Sequence, residues 1–234
     1  MIKLIIFDFD DTITDNRNLD FESFKITCQK FNIKNSLSLK KLVNFRKKSN
    51  TAKDILKFIK NSTHKTFSTK NFLEYRHNFL IGENSNNFLQ LKIDTKLILK
   101  MIQKYKIPIF LCTVREDKQL VINFLKKNHI ENYFKNILCS SDLNVKIDNM
   151  ISNNRILIKS SLLKKIIKKY KFKHTEILYV GNSSEDRIAS SIHHMQFLKF
   201  NNDYLPEENF YYLYSTNNMK NTHKIIEELI VRND

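Results

Sequence analysis

The chain has 234 residues, 41% of them hydrophobic, enough to bury a full core as one domain with an insert or as two small domains. Two glycines and two prolines nearly exclude compact glycine-rich phosphate loops, and no apolar run approaches the length needed to cross a bilayer. The formal charge of +16 invites a polyanion, but the lysines are dispersed and far outnumber the arginines, which are better at bidentate phosphate recognition. Nucleic acid is therefore the less favoured partner; small anionic substrates are favoured, and no membrane is expected.

The run Leu4-Ile5-Ile6-Phe7 reads as a buried strand. It ends in Asp8 and Asp10, one residue apart, followed by the hydroxyl of Thr12. Residues two apart on an extended chain share a face, so both carboxylates aim just past the strand's end, the edge where parallel α/β sheets bind ligands. Paired carboxylates there suit a hard cation such as Mg²⁺, with one oxygen left to attack an electrophile. The bland alternative is a strand followed by an acidic turn. Because the strand motif starts at residue 2, no signal or transit peptide is expected.

From about Asn16 to about Leu91 the apolar spacing is helical. Phe21, Phe24, Cys28 and Phe31 begin it, Leu42 and Val43 continue it, and Ile55, Leu56 and Ile59 and then Phe72 and Leu73 form further faces. This predicts an all-helical insert of about four helices without strands. Helix and strand then alternate. Thr95–Tyr105 is a helix, Ile107–Thr113 a strand ending in a hydroxyl, Lys118–Asn128 a helix, and Phe134–Cys139 a strand. Ser140–Arg155 is polar and the least readable part of the core. Ser160–Tyr170 is a helix with Lys164, Lys165, Lys168 and Lys169 on its solvated face. Glu176–Val180 is a strand that breaks at Gly181, Met195–Phe200 another, and Thr222–Val231 a closing helix. Such alternation implies a parallel sheet covered by helices on both faces. Cys28, Cys112 and Cys139 lack metal-ligand spacing and read as buried thiols of a reduced, cytoplasmic protein.

Asp8-x-Asp10-x-Thr12, Thr113, Lys159 and Gly181-Asn182-Ser183-Ser184-Glu185-Asp186 stand in order at strand ends or helix starts. Together they resemble the four motifs of the haloacid dehalogenase (HAD) superfamily. The insert is similar to the cap of its phosphoglycolate phosphatase and β-phosphoglucomutase branch. The resemblance implies a Rossmann-like α/β core over residues 1–15 and 92–234, an inserted helical cap over 16–91, and a Mg²⁺-dependent phosphatase of a small phosphorylated metabolite. It makes Asp8 the nucleophile that forms an aspartyl-phosphate and Asp10 the general acid and base. Thr113, helped by the N–H of Val114, would hold a phosphate oxygen, and Lys159 would offset charge on nucleophile and phosphate. Lys159 is chosen because it precedes a helix capped by Ser160 or Ser161; Lys146 and Lys164 are weaker candidates.

The implied metal ligands are Asp8, Asp10, Asn182 and Asp186, with Glu185 assisting. Asn182 stands where the family usually has aspartate, so one negative charge is lost and cation affinity should fall. Asp11 in place of the commoner glycine is a milder departure. Substrate choice is implied to lie in the cap, where Arg46 and Lys48, with Lys53, occupy the expected specificity loop Phe45–Asp54. Arg115, two residues past Thr113, is expected to face the substrate as well. The rival readings are a phosphomutase using the same residues, a phosphonatase needing a cap lysine, and a non-catalytic or nucleic-acid-binding member.

Overall fold

The computed structural model describes residues 1–34, 37–63, 65–143, 152–201 and 213–231. Strands β1 (Leu4–Phe7) and β2 (Thr14–Asp15) precede four helices: α1 (Arg17–Lys30), α2 (Leu39–Lys47), α3 (Ala52–Thr63) and α4 (Thr69–Ile81). Then follow β3 (Gln90–Leu91), α5 (Thr95–Lys104), β4 (Ile109–Cys112), α6 (Lys118–Lys127) and β5 (Phe134–Leu138). The remainder is α7 (Ser152–Tyr170), β6 (Ile177–Gly181), α8 (Ser184–Ile192), β7 (Gln196–Phe200), β8 (Tyr214–Thr216) and α9 (Met219–Val231). Met1–Thr14 and Leu91–Asn201, with the C-terminal segment, form one compact unit, and Asp15–Gln90 belong to a second. Among the described residues no helix is long and apolar enough to cross a membrane.

The first unit is built on a six-stranded sheet in the order β5-β4-β1-β6-β7-β8, with every paired neighbour parallel. Its β1 is buried along its whole length, because β4 and β6 flank it and helices cover both faces. Alternation then assigns the sides. Leu4 and Ile6 pack with Leu162, Leu163 and Ile166 of α7 and Tyr179 of β6. Phe9, on the opposite parity, meets Phe124 of α6 edge-on at 5.4 Å between centroids. Each such buried aliphatic contributes about 1.5–3 kcal/mol. Asp8 shares the parity of Leu4 and Ile6, so its carboxylate leaves the strand on the α7 side.

The structure extends two expectations. The helix expected to begin at Ser160 begins at Ser152, so Lys159 lies inside α7, not ahead of it. The edge strand β8 was not expected, because three residues carry no readable period. Lys146 lies outside the described residues.

The second unit closes its own core. Phe24 and Cys28 of α1, Leu42 of α2, Ile55, Leu56 and Ile59 of α3, and Phe72 of α4 are buried together. Inside it Asp20 of α1 accepts hydrogen bonds from Arg46 Nε and Nη2 at 2.8 and 3.0 Å, and pairs with Arg76 of α4. Arg76 also lies over the Phe24 ring, 4.3 Å from its centroid.

Candidate active site

The site forms where β1, β4 and β6 end, within the first unit. Asp8 is 3% exposed, and Lys159 Nζ lies 2.9 Å from its Oδ1. The same ammonium pairs with Asp186 Oδ1, so a single buried cation joins two buried carboxylates. The hydroxyl of Tyr179 donates to that same oxygen at 3.1 Å. Asp186 Oδ2 accepts from the N–H of Asn182, from the N–H of Ser183 and from Ser183 Oγ, at 3.0, 3.0 and 2.8 Å. Ser183 Oγ in turn accepts from Asp186 N–H, completing a capping box at the start of α8. Gly181 is required by this close approach: a Cβ there would meet the Asp186 side chain at 2.6 Å.

Thr12 Oγ1 lies 3.4 Å from Asp8 Oδ2 and 3.3 Å from Asn182 Oδ1, so three oxygens line up across the ends of β1 and β6. Its turn passes through Asp11 at a φ of 57°, a left-handed geometry that glycine favours and aspartate tolerates. Thr113, directly after β4, is fully buried, and its Oγ1 accepts from the N–H of Arg115 at 3.2 Å. Arg115 Nε lies 3.0 Å from both oxygens of Asp10, and Nη2 donates to Oδ1 at 2.7 Å.

Residues 5–200 match the model of the haloacid dehalogenase-like hydrolase family. The chain belongs to that family. No curated protein matches it. Among solved structures, a Clostridium difficile protein assigned provisionally as a phosphatase shares 19% identity at a TM-score of 0.71, covering 96% of this chain and 98% of that one. A Haemophilus somnus protein, predicted to be a phosphoglycolate phosphatase, shares 17% at 0.68 with coverage of 96% and 98%. The HAD-hydrolase YfnB of Bacillus subtilis, bound to magnesium, shares 14% at 0.64 with coverage of 97% and 99%. These likenesses establish the fold of a HAD-like hydrolase over nearly the whole chain.

Electrostatically, the HAD-like site divides its carboxylates. Burial, and then the facing Asp186, push Asp8 up to about 8 against the pull of Lys159. Burial also opposes ionisation of Asp186, but Lys159 and the Ser183 hydrogen bonds hold its carboxyl below the usual range. Lys159 is raised in turn: its two carboxylates outweigh the cost of burial.

The sequence reading and the geometry differ at four residues. Both oxygens of Asp186, the expected metal ligand, accept bonds from protein donors. The Asp10 carboxylate meets Arg115, which was expected on the substrate. Arg46 lies in α2 and ties it to Asp20, not in a specificity loop. Lys48 is exposed, directly after α2. Thr12 and Tyr179 were not singled out as site residues. Thr12 is signalled by its place in the first motif; nothing local marks Tyr179.

Among the described residues no three His, Cys, Asp or Glu side chains converge on a metal position. The row from Asp8 through Thr12 to Asn182 is nonetheless all oxygen. Mg²⁺ is ordinarily held by one or two carboxylates together with waters and substrate phosphate. The donor set fits that chemistry, with one carboxylate fewer than an aspartate in place of Asn182 would supply.

Proposed function

We propose that this HAD-like hydrolase is a Mg²⁺-dependent phosphatase acting on a small phosphorylated metabolite. The observation that carries the reading is Asp8, a buried carboxylate at a strand end with Lys159 at 2.9 Å and the Thr113 hydroxyl ending the adjacent strand. A phosphoryl group repels anionic nucleophiles, so cations and donors must offset its charge before a carboxylate attacks.

Asp8 attacks phosphorus while the bond to the leaving oxygen breaks, and Asp10 gives that oxygen a proton. Water then attacks the aspartyl-phosphate. Asp10 takes the water's proton, the bond to Asp8 breaks, and inorganic phosphate leaves. Lys159 offsets charge on Asp8 and on the phosphate, while Thr113 Oγ1 and the N–H of Val114 hold a phosphate oxygen. Arg115 acts on the substrate through Asp10, whose carboxylate it orients. Asp8 and Asn182 would hold Mg²⁺, which when bound neutralises phosphoryl charge; the magnesium-bound Bacillus subtilis relative supports this. Three buried free thiols suit a reducing cytoplasm.

The test is phosphate release from sugar phosphates, nucleotides and phosphoglycolate, with Mg²⁺ and with chelator. The reading expects metal-dependent release from one class. Folded protein that releases no phosphate from any of them would contradict it.

A further inference from the structure

The edge of the sheet opposite Asp8 collects lysines. All strands of this unit run parallel, so their first residues share one edge, and the last turns of the helices leading into them lie there too. In the spatial order β5, β4, β1, β6, each of these four neighbouring strands has a lysine near its start: Lys135 is the second residue of β5, Lys106 stands three residues before β4, Lys3 directly before β1, and Lys173 four residues before β6. All four are exposed. The last turns of α6 and α7 add Lys126, Lys127 and Lys169. Lys135 and Lys169 each lie against the Tyr170 ring, with Nζ 5.7 and 5.3 Å from its centroid, which joins the strand row to the helix ends. Among the described residues, acidic side chains at this edge are few. Glu176 pairs with Lys3 at 2.7 Å, Glu131 sits 3.9 Å from Lys126, and Glu227 of α9 accepts from the Tyr105 hydroxyl.

We propose that this edge docks the phosphodiester backbone of a nucleic acid, independently of the phosphatase site. Adjacent strands are about 4.8 Å apart, so the starts of the four strands span about 14 Å. Such exposed cations lie too far apart to converge on one small anion. They suit a linear polyanion carrying a charge about every 3.4 Å along each strand, which places roughly four phosphates along the row. Lysine at helix ends is also favoured by the helix dipole, and that alone would produce some of this charge. The dipole does not account for Lys3, Lys135 or Lys173; Lys106, directly after the C-cap of α5, lies within its reach.

The experiment separates this edge from the bulk charge of +16. A fluorescently labelled single-stranded oligonucleotide is titrated with the full chain, by anisotropy, over a range of salt. The edge variant combines Lys106→Glu, Lys127→Glu, Lys135→Glu and Lys169→Glu. The control makes the same charge change on exposed lysines of the second unit: Lys34→Glu, Lys40→Glu, Lys47→Glu and Lys57→Glu. The edge variant should bind about 100-fold more weakly, and its slope of log affinity against log salt should shrink by about 3, at about 0.7 per lost phosphate contact. The control should change affinity by less than about threefold. Circular dichroism checks folding, and the milder Lys→Gln set at the same four positions keeps the test open if the glutamates unfold the chain. Equal losses in edge and control variants would overturn the proposal. So would the absence of wild-type binding at about 0.1 M salt, or preferential binding to anionic phospholipid vesicles.

Discussion

Lys159→Met isolates the cation on which the site is built. The substitution keeps the stem and removes an ammonium, 3% exposed, that contacts Asp8 at 2.9 Å and also pairs with Asp186. At an effective dielectric near 20, each contact has a gross attraction of about 4–6 kcal/mol, largely offset by the cost of burying the charge. What remains after removal is two buried carboxylates without their cation, and breaking a buried pair in this way costs about 3–5 kcal/mol. The loss carries a pH signature. Without Lys159 the Asp8 carboxyl rises further above its unfolded value, and Asp186 loses the cation that holds it below the usual range, so the folded protein takes up more protons relative to the unfolded one through that window. Stability then falls as pH rises. Urea unfolding of the chelated protein, followed by circular dichroism, should show the largest deficit near about pH 8 and a smaller one near about pH 5. Adding Asp186→Asn to Lys159→Met should recover part of the loss, since one stranded charge is removed with the other. A deficit below about 1 kcal/mol, or one that does not vary with pH, would refute the reasoning.

Three further outcomes follow from other parts of the molecule. Asn182→Asp adds a carboxylate beside Asp8 with almost no change of shape, so half-maximal activity should need about tenfold less Mg²⁺, equivalent to about 1.4 kcal/mol; an unchanged requirement would remove Asn182 from the metal's surroundings. In the second unit, Asp20→Asn should destabilise more than Arg46→Ala in thermal melts, because it leaves two arginines without their common anion. If Arg46→Ala instead raises KM and leaves the melt unchanged, the residue acts on substrate. Cys28 and Cys139 are pushed up to about 11 and about 12 by burial, and Cys112 higher still. All three thiols should therefore resist a disulfide reagent in the native protein and react after unfolding; a fast-reacting thiol in the native state would contradict their burial.

The sequence announced the site's two ends more clearly than its middle. Asp8 follows a run so apolar that only a buried strand suits it, and Gly181 to Asp186 combines a strand break with a helix cap, so both are local signals. For Lys159 the expected helix start is a false signal, since the residue lies inside α7. The polar stretch before it hides the start of α7, whose first turn is Ser152 and its neighbours. The better signal is periodic: Lys159 precedes Leu162, Leu163 and Ile166 by three, four and seven residues, on the face buried in the core. The four lysines from Lys164 to Lys169 lie on the other side. A lysine on an apolar face needs a carboxylate partner, and here it has two. The Arg115–Asp10 and Arg46–Asp20 pairs were illegible because their partners are 105 and 26 residues apart. Only the fold brings Arg115 onto the Asp10 carboxylate. The lysine row at the far edge was hidden in the same way, since dispersal along the chain concealed convergence in space.

The claim on which everything rests is that Asp8 carries the phosphoryl group during turnover. The direct measurement is mass spectrometry of peptides from acid-quenched protein mixed with a turned-over substrate, comparing wild type with Asp8→Asn. The account predicts a peptide containing Asp8 heavier by one phosphoryl group in wild type, no such adduct in Asp8→Asn, and loss of phosphate release in that variant. Phosphate release by Asp8→Asn at an appreciable fraction of the wild-type rate, or an adduct on any other residue, would contradict it.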